Sequence, residues 1–549
     1  MLKAFLILFI TSFLYANTII YNANIYTVDE ELPQAQALVI DNEKIVYIGK
    51  NTKALAFKTE YSTLIDAENN FIMPGLIDSH THTALAALLF NTGVNLYKAK
   101  GKKAILKKVK AYKESHPDLK LYTGVGFYPY AFGPNGPTKE VLDEIFPDVK
   151  AFFISNNGHQ AWANSKTLDF LGINKETPDP LANVHYYVRD ATGEPTGFLI
   201  EGEAFWPHLK TLDIGTKEEF KKVLRNFLPQ FSALGITTLY DASIASLEES
   251  AYAALKELED EKKLDLRYLA SHFIISTKDA KQASQELKRL QKSYNKELFT
   301  VSSIKFINDN SDDDNFGIQF KEKALSQYIM PIIQANQDLM IHTSQDSSIH
   351  QALNAISAVK KKVPNSISRI TLAHVNMVRD ADFKRFKELD IVANIQPFDA
   401  QGGGYYEYRY MLYEDEWKNK LARYRHFFDE DVRVSSSSDY PACNKPLKEC
   451  SPFHGIQIGM TRQKIGAIAD EEILASADER LSLAQSIRAY TINGAYQLHL
   501  EEKVGSLEVG KEADLIILDR DPFKIRTKDI HTIKVLQTFL KGKRIYEKH

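Results

Sequence analysis

His80 and His82, in the stretch MPGLIDSHTHT (residues 73–83), are two metal-compatible side chains one residue apart at the end of an apolar run. In an extended strand, residues two apart point to the same face, so both rings can serve one centre. Two partly exposed histidines at a strand end would read the same way, so the pair needs partners elsewhere. Four further side chains qualify: Lys305 in SSIKFIND, His342 in DLMIHTS, His374 in ITLAHVN and Asp439 in VRVSSSSD. Histidine offers a neutral nitrogen and aspartate an anionic oxygen, a donor set that suits Zn²⁺ or a similar first-row ion. Lysine is the odd member, because an ammonium cannot ligate a cation.

The elements around these residues dictate whether they can meet. From about 216 to 495, short apolar runs alternate with longer amphipathic stretches, such as GITTLYDA before LEESAYAALKELEDEKK and DLMIHTS before SIHQALNAISAVKKK. Strands alternating with helices imply parallel βαβ units. Counting FIMPGLIDSH as the first strand gives eight, the number that closes a TIM-type (β/α)8 barrel in an α/β fold. The C-terminal ends of such strands face a common mouth, so all six side chains can converge there.

The barrel is expected over residues 73–496. Between its first strand and that strand's helix lies an insertion, about 95–212, whose glycines, prolines and aromatics predict turns and packed loops. Leaving from the mouth, it is placed to cover a substrate. Residues 17–72 and 497–549 share a texture of short alternating runs, which predicts a small β-sandwich domain built from both chain ends.

With 25% charged residues and a formal net charge of −3, neither nucleic acid nor an anionic membrane surface is an evident partner. A hydrophobic content of 44% supports a large core and excludes a mainly disordered chain. Residues 1–16 read as a signal peptide, with one lysine, a short apolar stretch and a small residue before a polar change. The expectation is a periplasmic or secreted protein with no stable membrane insertion once the signal is removed. Only Cys443 and Cys450 are present, and in an oxidising compartment they are candidates for a disulfide that clips a loop.

PGLIDSHTHT, LAHV, SSDYP and the tail GSLEVGKEADLIILD together resemble the amidohydrolase superfamily, in particular the branch typified by N-substituted formamide deformylases. GHQAWANSKTL and ATGEPTGFLIE in the insertion point the same way. The resemblance implies a binuclear site. His80 and His82 would bind one metal together with Asp439, His342 and His374 would bind the second, and Lys305, carboxylated by CO₂, would bridge them. A shared hydroxide would be the nucleophile, with Asp439 as general base and acid. A single ion beside an uncarboxylated lysine is the alternative. The chain departs from the branch in HTSQD, where Thr343, Ser344 and Gln345 stand between His342 and Asp346, and in KFINDNSDDD after the lysine.

The function this implies is metal-dependent hydrolysis of a C–N bond in a small-molecule amide, N-acyl or N-formyl. Cyclic amide opening, deamination and ester hydrolysis share the same machinery, and a non-catalytic binding protein on the barrel scaffold is the rival from another class. Substrate-contact candidates are His159, Trp162, His272, Phe127 and Phe398, with Tyr128, Tyr405 and Tyr406 as further aromatics. Asp312, Asp313 and Asp314 read as a solvated acidic loop, and Ser435–Ser438 as a strand end leading to Asp439, since no G-x-S-x-G elbow surrounds them. Oligomeric state stays open.

Overall fold

The structure is a computed structural model describing residues 17–274, 277–310, 315–317, 322–401, 420–443, 445–468 and 473–548. The expected signal peptide, Asp312–Asp314, Tyr405 and Tyr406 lie outside the described residues.

Eight apolar runs pair in parallel, each with the next: β1 (Leu76–Thr81), β2 (Ile236–Asp241), β3 (Arg267–Ile274), β4 (Phe299–Asn310), β5 (Asp338–Thr343), β6 (Ile370–His374), β7 (Ile391–Ile395) and β8 (Val434–Ser436). Strands β1, β2, β6 and β7 are buried along their whole length, which is why they read as continuous apolar runs rather than alternating ones. The gap between β8 and β1 is bridged by side chains as well as backbone. Ser79 donates to the Ser436 carbonyl (2.9 Å), Asn394 donates to Ser79 (2.9 Å), and Gln497 donates to the Ser79 carbonyl (2.9 Å). Just beyond the strand ends, the Asp439 amide donates to the His80 carbonyl (2.9 Å), and the His82 amide donates to the Tyr440 carbonyl (2.7 Å).

Helices cover the outside. Lys217–Phe227 starts with a capping box in which Thr216 and Glu219 satisfy each other's amides, and it buries Phe220, Val223, Leu224 and Phe227 at helical spacing. Glu248–Asp260, Ala283–Tyr294, Glu322–Gln334 and Asp346–Lys360 follow their strands as the amphipathic runs predict. Among the described residues, no helix is long and apolar enough to cross a membrane.

Three features differ from, or add to, the sequence reading. FIMPGLIDSH is not one strand. Phe71–Pro74 belongs to a six-stranded sheet shared with Asn24–Tyr26, Gln34–Ala35, Leu515–Leu518, Val535–Leu540 and Lys543–Glu547, while β1 starts after Gly75. A Cβ at Gly75 would stand 2.3 Å from Thr237 Oγ1, so only glycine lets one chain pass between the two sheets at this point. That six-stranded sheet faces a four-stranded one (Thr18–Tyr21, Ala37–Asp41, Lys44–Gly49, Thr63–Asp66) across a core that includes Ile20, Ile25, Leu38, Leu515 and Phe539.

Secondly, a helix, Thr83–Thr92, directly follows β1 and precedes the inserted segment. Thirdly, that segment is a folded layer rather than packed loops. Val94–Asn95, Leu121–Phe127, Lys150–Ser155, Gln160–Ala163, Pro195–Ile200 and Tyr186–Arg189 form a six-stranded sheet with its own aromatic core around Trp162, Phe153 and Phe146.

Candidate metal centre

At the C-terminal ends of β1, β6 and β8 the structure brings His80, His82, His374 and Asp439 together. Asp439 Oδ1 lies 3.5 Å from His80 Nε2 and 3.4 Å from His82 Nε2, and its Oδ2 lies 4.0 Å from His374 Nδ1. The His80 and His374 rings are 5.0 Å apart between centroids, and His342, at the end of β5, stands 4.0 Å from His374. Lys305, on β4, is buried and near enough for its charge to act on His80, His374 and Asp439. His374 and Asp439 have φ of 77° and 51°. Backbone held in this region by non-glycine residues is costly and concentrates at functional sites.

The donor atoms here are stranded. Neither ring nitrogen of His80, nor Lys305 Nζ, His374 Nε2 or Asp439 Oδ1, has a hydrogen-bond partner among the described residues. Each such atom costs about 1–3 kcal/mol when buried, so several in one place mark a site built for an occupant. His80, His82 and Asp439 each offer one donor atom, and these lie within 4.8 Å of one another, a set that fits a divalent cation. His82 Nδ1 lies 3.2 Å from the Ser243 carbonyl, which accepts from an Nδ1–H and leaves Nε2 free to ligate.

Electrostatics keep His80, His374 and Asp439 in their ligating forms, while the Asp439 carboxylate favours a proton on His82. Burial, then the Lys305 charge, holds His80 well below the usual imidazole range, and burial with His342 does the same for His374. Burial works against a charge on His82, but the Asp439 carboxylate, 3.4 Å from its Nε2, outweighs it and raises its pKa. The same pairing overrides burial at Asp439 and lowers its pKa. Burial pushes Lys305 down to about 7, so a substantial share of the amine is unprotonated near neutrality. Asp78, two residues before His80, accepts from the Ser438 amide (2.9 Å) and hydroxyl (2.6 Å), and so ties β1 to the residue preceding Asp439.

The centre opens into a cavity of about 570 Å³, in the size range of small-molecule sites. His82, His342, His374 and Asp439 line one part of it. The inserted layer and the Thr83–Thr92 helix supply apolar walls from Leu85, Leu89, Phe90 and Trp206. The inserted layer also presents two pairs. His159 Nδ1 lies 3.1 Å from Glu201 Oε2, and His185 Nδ1 accepts the Glu203 amide at 3.1 Å. Burial, then the Asp279 carboxylate, pushes Glu203 up to about 7.

Among the sequence candidates for substrate contact, His159 and Phe398 line this cavity. Three do not. Trp162 is fully buried in the core of the inserted layer, where its Nε1 donates to the Thr138 carbonyl (2.9 Å), and Phe127 packs against it. His272 faces the helical layer, with Nδ1 2.9 Å from Glu248 Oε2, because its neighbour Phe273 takes the inward position on the alternating strand. Tyr128 bonds the Tyr97 carbonyl instead of lining the cavity. Sequence reasoning missed His185, Glu201, Glu203 and Trp206; the only signal was the Glu201-Gly202-Glu203 triplet at the end of the ATGEPTGFLIE run. Ser435, Ser437 and Ser438 are buried in hydrogen-bond networks with Gln497, Gln396 and Asp78, as a strand end and not as nucleophiles. Cys443 and Cys450 are joined as a disulfide, and Cys443 touches the cavity.

A βα-barrel with a donor set for a divalent cation at its mouth is the class of protein that fold and site define. The amidohydrolase family's sequence profile matches residues 63–546, and the chain belongs to that family, enzymes that hydrolyse carbon–nitrogen bonds other than peptide bonds. It is 26% identical to the N-substituted formamide deformylase of Arthrobacter pascens, over 96% of this chain and 98% of that protein. It is 28% identical to the exoenzymes regulatory protein AepA of Pectobacterium carotovorum subsp. carotovorum, over 76% of this chain and 91% of that one. An uncharacterized metal-dependent hydrolase from Pyrococcus horikoshii OT3 shares the fold, with a TM-score of 0.71 at 21% identity over 93% of this chain and 99% of that chain.

Proposed function

We propose that the chain hydrolyses an exocyclic amide of a small molecule, an N-acyl or N-formyl amine. The observation that carries this reading is the cluster of unpartnered buried donors at the edge of a ligand-sized cavity. Likeness to a formamide deformylase over nearly the whole of both chains supports the choice of bond.

In this reading His80, His82 and Asp439 hold one divalent cation, and His342 and His374 offer a second position. The cation, zinc or a similar first-row ion, supplies Lewis acidity that polarises a carbonyl and brings the pKa of water to about 7. Lys305 takes part through its unprotonated amine, which adds to the carbon of CO₂, forms a C–N bond and loses one proton. The resulting carbamate is an anionic oxygen donor in place of a cation. Asp439, held as carboxylate by His82 and its neighbours, accepts the proton of the attacking water and returns it to the departing nitrogen. Leu85, Leu89, Phe90 and Trp206 keep bulk water from the rest of the substrate. Export to a periplasm or to the medium belongs to the same reading, supported by the composition of residues 1–16 and by the Cys443–Cys450 disulfide.

The test is elemental analysis of the purified protein together with turnover of N-formyl and N-acyl amines, cyclic amides, aminated heterocycles and esters. Bound divalent metal with preferred cleavage of the first group is expected. A metal-free, inert protein, or preference for any other group, refutes the reading.

A further inference from the structure

The cavity has two chemically distinct parts. One holds His82, His342, His374 and Asp439, where His374 is more than nine-tenths buried with an unpartnered Nε2. The other, on the inserted layer, holds the Glu201 and Glu203 carboxylates, with apolar side chains also lining the cavity. We propose that Glu201 and Glu203 select substrates whose amine portion carries a second, cationic nitrogen, an ammonium or guanidinium, remote from the scissile amide. This rests on the amide-hydrolase reading and names its substrate class.

The argument is one of charge balance. Glu201 and Glu203 side chains are 16% and 24% exposed, set into the cavity wall. A carboxylate so placed loses hydration and needs a donor or a counter-charge in return. Glu201 has His159 for one face. Glu203 has beside it His185 Nδ1, which accepts the Glu203 amide and so brings no proton to the carboxylate from that nitrogen. A ligand cation supplies the counter-charge that the described residues of the wall do not bring to Glu203. It also forms charge-assisted hydrogen bonds with a geometry that water in the cavity does not impose. Lys445 and Lys464 line the same cavity, but both are exposed at its rim, where solvent screens them, so they do not cancel the wall carboxylates. The apolar side chains that line the same cavity suit the methylene chain joining amide and cation.

The experiment uses the full-length metal-loaded protein. N-formyl-α,ω-diaminoalkanes of increasing length are compared with N-formylalkylamines of equal length, whose terminal methyl replaces the ammonium. Binding of the corresponding free amines is measured by calorimetry alongside kcat/KM. At the best chain length, the cationic member is expected to exceed its neutral isostere by about tenfold or more in both readouts. Glu203→Gln should collapse this ratio, Glu201→Gln should reduce it, and Glu203→Lys should invert it in favour of analogues ending in carboxylate; unfolding midpoints confirm that each variant is folded. Equal affinity and turnover for the two series, or a ratio unchanged in Glu203→Gln, overturns the proposal. If neither N-formyl nor N-acyl amines are cleaved, the amide-hydrolase reading fails, while preferential calorimetric binding of the diamines still upholds the cationic subsite and its absence sinks it.

Discussion

Asp439→Asn is the sharpest perturbation of the centre, because it changes charge and proton affinity at nearly constant volume. Asp439 occupies a left-handed backbone position, φ 51°, which asparagine tolerates better than almost any residue but glycine, so the local fold should persist. What is lost is specific. The carboxylate lies within 3.5 Å of His80 Nε2 and His82 Nε2, and it is the group that holds His82 above its ordinary pKa despite burial. Removing a positioned general base typically costs 10²–10⁴ in rate, about 2.7–5.4 kcal/mol of barrier at about 1.36 kcal/mol per decade. A weakened cation site adds to that loss. The assay is kcat/KM on the best amide substrate, with metal content and thermal midpoint measured on the same preparation. A variant that stays within about threefold of the parent, at equal metal content, would refute the role assigned to Asp439.

Three further outcomes are expected. Arg267→Met should destabilise the protein by about 3–5 kcal/mol in denaturant unfolding, because Arg267 donates to the buried Asp514 carboxylate at 2.6 Å and also pairs with Glu512; a loss under about 1 kcal/mol contradicts this. Gly75→Ala should cost about 1–3 kcal/mol through its clash with Thr237, and most of that should return in the Gly75→Ala, Thr237→Ala double variant, since the contacts at 2.3 and 2.5 Å are to the threonine's outer atoms; no recovery argues against the close approach. Glu203, with its folded pKa raised from 4.5 to about 7, binds more protons folded than unfolded in that interval, so its contribution makes stability fall as pH rises from about 4.5 to 7 and levels off above. Glu203→Gln should remove that component in a pH series of unfolding curves, and superimposable profiles would exclude it.

The barrel was legible because each strand is a local apolar run followed by a local amphipathic helix, and periodicity reports both. The meeting of His80, His82, His374 and Asp439 was legible from their places at or just past strand ends, whereas Lys305 lies within β4 and a ligand role for it came only with the family resemblance. Gly75 shows where such reading stops: nothing local in FIMPGLIDSH tells that Phe71–Pro74 pairs with Leu515–Leu518 while the next residues pair with β2. The inserted sheet was hidden because its strands are short and, in Lys150–Ser155, buried almost throughout, so they lack the alternation that marks a half-buried strand. Trp162 and Phe127 were attractive as aromatics in a glycine-rich segment, yet large rings there serve the layer's own core. Glu201 and Glu203 went unnoticed because two carboxylates around a glycine look like a solvated turn until three dimensions set them in a cavity wall.

The pairing of Phe71–Pro74 with Leu515–Leu518 bears on synthesis as much as on the finished molecule. The segment leading into His80 and His82 has one sheet neighbour, Asn24–Tyr26, early in the chain, but gains the other only when nearly the whole polypeptide has emerged. Asp439, whose amide donates to the His80 carbonyl, also stands far along the chain from the first two donors. Contacts so distant in sequence close late, which ties completion of the centre to completion of the chain.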